Sequence, residues 1–222
     1  VTKSYEGMSK GRRYSYDLDD VSAIREKVPN LRFISPRNQL GGFRGANNVV
    51  RGLNVGAFNV YGDFPEIINQ DPMNITSGRF INYADINEKR KVAIIGEGVR
   101  SSLYAKGEEV IGTYIKIQDV NFMVIGTYKK KTSGGDGEED QKQIYIPFTS
   151  FSQAFNRGEK VGWMAITAND GTPITAIKQQ IFDVVKKNHK IHPEDNRAVG
   201  HFDLFEQYNR IETLFISFQL LH

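Results

Sequence analysis

The 222-residue chain contains no cysteine. That excludes disulfide staples, thiolate metal sites and thiol nucleophiles. It has no apolar run approaching the roughly twenty residues that a helix needs to cross a bilayer. It has little excess charge. Twenty-nine Lys and Arg against 26 Asp and Glu leave a net +3, too weak for a protein built to hold nucleic acid. No spacing of serines, histidines and carboxylates singles out a triad or an acid pair. No catalytic constellation emerges, and no enzyme is expected. What is present is ordinary for a folded domain: 39% hydrophobic and 25% charged residues, in a chain long enough for one large core or two small ones. The chain begins with Val1, carries no signal peptide, and reads as a fragment of a longer protein.

The pattern along the chain is mixed. Asp19 and Asp20 precede Val21, Ile24 and Val28, a capped helix with one apolar face. "LRFIS" follows as a strand closed by Pro36. Residues 38–56 are rich in glycine and polar residues and read as turns between short strands. From "GRFIN" the rhythm is short strands and turns. "TYIKIQDVNFMVIGTY" alternates on both sides of Gln118-Asp119, the pattern of a β-hairpin. Residues 129–142 contain no large apolar side chain and are predicted to form a solvated loop, since nothing there offsets the entropy of ordering. "QIYIPF" is a strand stopped by Pro147. "VGWMAITA" is another, followed by Thr172-Pro173 and a helix carrying Ile174, Ile177, Ile181 and Val184 on one face. "NRAVGHF" reads as the next strand.

Two stretches invite a binding-site reading. "VAIIGEGVRSSLY" sets a strand before Gly96-Glu97-Gly98 and a short helix, as in dinucleotide-binding folds. Ser101 occupies the third motif position, where glycine or alanine is needed. The helix is short, and the strands that follow form a hairpin. A turn that needs glycine for its backbone is therefore favoured over a nucleotide site, and no cofactor is expected. A free-standing nucleotide-binding or enzymatic domain built round Gly96 is the alternative. "HKIH" places His189 and His192 three apart at a helix end. Without a third well-spaced ligand, a favourable pairing with the helix dipole explains them better than a metal does.

The central block resembles the periplasmic core domain of MacB-like ABC-transporter permeases. The landmarks are Gly78, Arg79, Phe80 and Asp85; a strand ending Ile95-Gly96; a short helix ending Leu103-Tyr104; Gly112; a hairpin ending Ile125-Gly126; and "IYIPF" with Pro147. The opening "YDLDDVSAIREKVPNLRFISP" matches more loosely. Gln118-Asp119 replaces the commoner Asn-Gly hairpin tip, and the 129–142 loop is long; both are surfaces where partner specificity could lie. The resemblance implies an α+β fold: a discontinuous α/β, porter-like subdomain with an inserted β-rich subdomain. The expected division is 1–75 and 148–202 for the porter-like part, 76–147 for the insertion, and 203–222 for a stalk.

The resemblance also implies function. Such a domain sits on the periplasmic side of the inner membrane, between two transmembrane helices of a permease. Cytoplasmic ATP hydrolysis moves it, for efflux of peptides, antibiotics or toxins, for lipoprotein handling or for envelope signalling. The implied partners are an ATPase domain or subunit, a second permease copy, and a periplasmic adaptor or outer-membrane channel. Leu204, Tyr208, Ile211, Phe215 and Phe218 recur at spacings of four and three. With the apolar run "LFISFQLL", they predict a C-terminal stalk helix leading into a transmembrane segment.

Overall fold

The computed structural model of the chain describes residues 1–41, 46–131, 137–198, 202–208 and 211–217. Strand β1 (Tyr16–Asp17) leads directly into helix α1 (Leu18–Lys27). Asp17 is its N-cap: its carboxylate accepts from the Asp20 N–H, and the Asp20 carboxylate accepts from the Asp17 N–H, both at 3.0 Å. This reciprocal box satisfies two donors that the first helical turn leaves open. The expected apolar face, Val21, Ile24 and Val28, is buried. Strand β2 (Leu31–Leu40) runs straight through Pro36, where the sequence predicts a stop. Proline removes one donor and fixes φ, and a strand accommodates it wherever the ladder does not need that N–H.

Next come β3 (Val49–Arg51), β4 (Asn54–Gly56), β5 (Asn59–Asp63), α2 (Ile67–Gln70), β6 (Asn74–Gly78), α3 (Tyr83–Asn87), β7 (Val92–Gly96) and α4 (Glu97–Leu103). The predicted hairpin is β8 (Tyr114–Ile117) and β9 (Val120–Lys129). Its turn residues Gln118 and Asp119 take φ of 42° and 67°, the left-handed pair that a type I′ hairpin requires. Then follow α5 (Gly137–Asp140), β10 (Gln143–Pro147), α6 (Phe148–Ala154), β11 (Lys160–Val161), β12 (Trp163–Ala168), α7 (Ile174–Asn188), β13 (Phe202–Tyr208) and β14 (Ile211–Ser217).

These elements form two compact units, one of Val1–Pro36 with Glu159–His222, the other of Arg37–Gly158. The inserted unit takes in 37–75 and 148–158 besides the expected 76–147, because β3 pairs with β8 and β5 with β10. In the first unit, β14 lies between β13 and β12, and the opening half of β2 adjoins β12. Helix α7 buries Ile174, Ile177, Ile181 and Val185. Residues Asn196–Ala198 are not strand, and the remainder of "NRAVGHF" up to Phe202 lies outside the described residues.

Among the described residues of 203–222 the expected stalk helix is not formed. Phe202–Tyr208 and Ile211–Ser217 are antiparallel strands, and β14 pairs with β12 through Ala165↔Phe215 and Ile166↔Leu214. The reason is physical. A short run of β-branched and aromatic residues suits a strand as well as a helix, and periodicity alone does not separate the two. The edge of β12 decides it by offering a ladder, and Leu214 is buried there. Among the described residues no helix is long and apolar enough to cross a membrane. Phe218 and His222 lie outside them.

The second unit carries the strand order β5-β10-β7-β9-β8-β3-β4, with Arg37–Leu40 of β2 antiparallel to β5. β5 and β10 are parallel, as are β7 and β9. β6 pairs antiparallel with β9, bringing Gly78 opposite Gly126. A Cβ on Gly78 would stand 2.0 Å from the Ile125 carbonyl oxygen, and one on Gly126 would stand 2.3 Å from that of Arg79. Neither site has room for a methyl group. Gly126→Ala should therefore destabilise the chain by about 2 kcal/mol or more, read as a lower urea midpoint with an unchanged slope. An unchanged midpoint would show that the β6–β9 approach relaxes freely.

Candidate functional site

The Gly96 turn is a strand end followed by a helix N-terminus, as expected, but its anion-binding donors are already used. The N–H groups of Gly98 and Val99 point at the Gln141 carbonyl oxygen, at 2.8 and 3.3 Å. That oxygen occupies the place where a phosphate would sit. Gly96 has φ of −69°, so the expectation that the turn needs a left-handed glycine is corrected. Glycine is required because a Cβ would lie 2.1 Å from the Gln141 oxygen and 2.8 Å from Tyr128. A second correction concerns the hairpin, whose strand β9 does lie parallel to β7. The nucleotide reading thus fails on the filled helix terminus and the seven-residue α4, not on strand direction.

Gln141 also overturns part of the loop expectation. Its side chain accepts from the Lys130 N–H at 3.0 Å and donates to the Lys130 carbonyl at 2.9 Å, extending the ladder past the end of β9. Residues 137–140 are helical. The base of this segment belongs to the fold, so removing all of 129–142 would take part of the core with it. Residues 132–136 lie outside the described residues.

The densest cluster of charge was not singled out from sequence. Arg37 donates to both oxygens of Asp63, at 2.8 and 2.9 Å, and reaches Asp71 at 3.5 Å. Lys130 Nζ lies 2.9 Å from Asp71 and donates to the Gln143 amide oxygen at 3.0 Å. The Tyr145 hydroxyl donates to Asp71 at 2.9 Å. The Arg37 guanidinium lies over the Tyr61 ring, 4.1 Å from its centroid. Asp63 is fully buried. Burial pushes its carboxyl up, and Arg37 draws it back only in part. Burial alone would also raise Asp71, but Lys130, Arg37 and the Tyr145 hydroxyl bring it below the usual value. Burial lifts the Tyr145 phenol well above its ordinary range, so it stays a donor. The donors Arg37, Lys130 and Tyr145 are thus turned on Asp63, Asp71 and Gln143 within the cluster.

A second cluster involves the expected landmarks. Arg79 grips Asp85 with two bonds, 2.6 and 3.0 Å, and Asp85 also accepts from the Asn82 N–H at 3.0 Å, capping α3. The histidines separate. His189 Nε2 is 2.7 Å from buried Asp20, which also accepts from Asn188 at 2.6 Å. The His192 ring instead meets the Tyr5 ring edge-on and accepts from the Glu194 N–H at 3.1 Å. Among the described residues no three His, Cys, Asp or Glu side chains converge as metal ligands.

The profile of the MacB-like periplasmic core domain matches residues 1–184. The chain belongs to the MacB-like periplasmic core domain family. It is 28% identical over 176 residues to the pyoverdine export ATP-binding/permease protein PvdT of Pseudomonas entomophila, covering 78% of this chain and 26% of that protein. It is 25% identical over 181 residues to the macrolide export ATP-binding/permease protein MacB of Bdellovibrio bacteriovorus, covering 82% and 27%. The chain thus spans about a quarter of the length of these curated relatives. The periplasmic region of MacB from Actinobacillus actinomycetemcomitans shares the fold, with TM-score 0.67, 16% identity, and 81% of this chain and 78% of that one covered. The extracellular domain of the noncanonic ABC-type transporter YknZ from Gram-positive bacteria does too, with TM-score 0.68, 13% identity, and 81% and 87% covered.

In this MacB-like domain the signature residues have structural work. Gly78 and Gly126 permit the β6–β9 approach, Arg79 and Asp85 lock the chain into α3, and Gly96 admits the Gln141 carbonyl. Asp85 gives a pH test. Burial raises its pKa, but Arg79, the Asn82 N–H and Arg90 outweigh that and leave it lowered. A lowered carboxylate contributes stability above its unfolded pKa of about 4, and that stability is lost as pH falls through the folded value. Asp85→Asn should cost about 2 kcal/mol at pH 7, and the gap to the parent should close below about pH 4. A gap constant from pH 7 to pH 3 in urea melts would mean that the charge contributes nothing.

Proposed function

We propose that this chain is the extracytoplasmic domain of an ABC export permease, held on the periplasmic face of the inner membrane. In this reading it converts cytoplasmic ATP hydrolysis into periplasmic movement. The observation that carries it is the family match over residues 1–184. Relatives named as export ATP-binding/permease proteins support export as the output. The organisation supports it too: one unit contains both the first and the last stretches of the chain, with the other inserted. The ATPase, as a domain of the same chain or a separate subunit, and a second permease copy are the expected partners. A periplasmic adaptor and an outer-membrane channel complete the assembly in this reading.

No step of bond chemistry is assigned to the domain. Arg37, Asp63, Asp71 and Lys130 neutralise one another, which suits a body that must keep its shape while it moves. Replacing residues 37–158 by a short Gly-Ser linker in the full-length transporter should preserve ATP hydrolysis in membranes and abolish export from cells. Export at the parental rate would overturn the reading. The rival, a nucleotide site at Gly96, is tested on the 222-residue chain by titration with ATP, GTP and NAD. No saturable heat or fluorescence change is expected, and micromolar binding of any of them would reinstate that rival.

A further inference from the structure

An open cleft of about 490 Å³ lies in the inserted unit, away from the buried ion cluster. Its charged and amide side chains come from three of the stretches that line it: Asn47, the Lys116–Asp119 hairpin end, and Glu139 with Lys142, with Ala57 and Asn59 completing the wall. The volume is that of a small-ligand site, and the lining mixes apolar residues such as Ala46, Val50 and Ala57 with polar ones and carries both signs of charge. Lys116 and Lys142 supply two cations, and Asp119 and Glu139 supply two carboxylates. Among the described residues none of these four side chains forms an ion pair or hydrogen bond with the protein, and neither do those of Asn47 and Gln118.

The contrast with the rest of the unit is informative. Arg37, Asp63, Asp71 and Lys130 are fully committed to one another. At the cleft, opposite charges share one concavity without forming an ion pair, where the walls concentrate their field. The hairpin turn is a second observation. Both of its residues are left-handed, at φ of 42° and 67°, where Asn-Gly is the unstrained choice. Gln118 and Asp119 keep their longer and charged side chains there at the expense of backbone strain, and both line the cleft. A strained position that presents side chains to a cavity is where function offsets strain.

We infer that this cleft binds a small zwitterion of amino-acid or short-peptide size. Its ammonium is met by Asp119 or Glu139, its carboxylate by Lys116 or Lys142, and its polar body by the Asn47 and Gln118 amides. A purely anionic or cationic ligand would leave one pair of like charges facing it unpaired, and an apolar ligand would leave both pairs unpaired. The inference does not depend on the permease reading, because binding is measured on the chain itself, and its failure leaves that reading intact.

The test uses the ¹⁵N-labelled 222-residue chain and triglycine as the probe, with N-acetylated, C-amidated triglycine as the uncharged control. Triglycine should shift the backbone resonances of the Lys116–Asp119 and Glu139–Lys142 segments saturably. The blocked peptide should bind at least about tenfold more weakly. The double variant Gln118→Asn with Asp119→Gly separates site from turn. It restores the unstrained turn, so its melting temperature should rise while triglycine affinity falls by about tenfold or more. No saturable shift with triglycine up to about 10 mM would overturn the inference. So would equal binding of the blocked peptide, or undiminished affinity in the more stable double variant.

Discussion

Asp63 is a carboxylate with no solvent to stabilise it, and Arg37 is the reason it can be there. The two are directly opposed in the β2–β5 ladder, so one bidentate pair serves as both charge partner and register pin. A slip by one residue would turn Asp63 to the other face and leave a buried charge unpaired. Removing one partner of such a pair typically costs about 3–5 kcal/mol, comparable with the whole stability of many domains. The neighbours follow from this constraint. Arg37 needs its second face covered, and the Tyr61 ring covers it. Asp71 would repel Asp63 if left alone, and Lys130 and the Tyr145 hydroxyl neutralise it. The strands β2, β5, β9 and β10 are therefore tied by charge as well as by ladder, although ladder pairing alone would tolerate other registers.

The second constraint is steric. At Gly78, Gly96 and Gly126 a backbone carbonyl comes within about van der Waals contact of the glycine Cα, and in each case it arrives from a different element. This explains why the turn after β7 imitates a phosphate loop. Both need a glycine so that an oxygen can approach a helix N-terminus. In a nucleotide site the oxygen belongs to a ligand, whereas here it belongs to Gln141. The same residue holds Lys130 through its side-chain amide, so a segment with no apolar side chain is anchored at its base by hydrogen bonds instead of burial.

These facts set what the sequence could reveal. Local order was legible: the apolar face of α1, the β8–β9 hairpin and the strand ending at Pro147 follow from periods and punctuation within a few residues, while the α1 cap falls at Asp17 and not at Asp19 or Asp20, and the α7 stripe ends on Val185 and not on Val184. The family resemblance rested on glycines and on Arg79 with Asp85; the partners of Gly78, Gly126 and Arg79 lie close in sequence or across the β6–β9 ladder, and Gly96 meets the more distant Gln141. The ion cluster was not legible. Arg37, Asp63, Asp71, Lys130 and Tyr145 are spread over more than a hundred residues, and each taken alone looks like a surface residue. The faint available signal was Asp63 ending the apolar alternation of β5. The C-terminal segment misled for the opposite reason. Its three-and-four spacing was real, but the partner that decides between helix and strand, β12, is some fifty residues away.

Commitment of polar groups is thus the property that distinguishes one part of this domain from another. Where charges are buried they are held by partners, either an opposite charge, as for Asp63 and Asp85, or neutral hydrogen-bonding groups, as for Lys186 and Asp195, because an unheld one would destabilise the fold by more than the surrounding packing could offset. Where charges line the open cleft they are unmatched, and solvation makes that inexpensive. Folding therefore places no demand on Lys116, Asp119, Glu139 or Lys142, and they can change without changing the architecture. The type I′ turn goes further, since its two residues are worse for folding than the pair the geometry prefers. A position on which stability makes no demand, or makes the opposite demand, is one where the identity of the side chain has to be explained by what lies outside the protein.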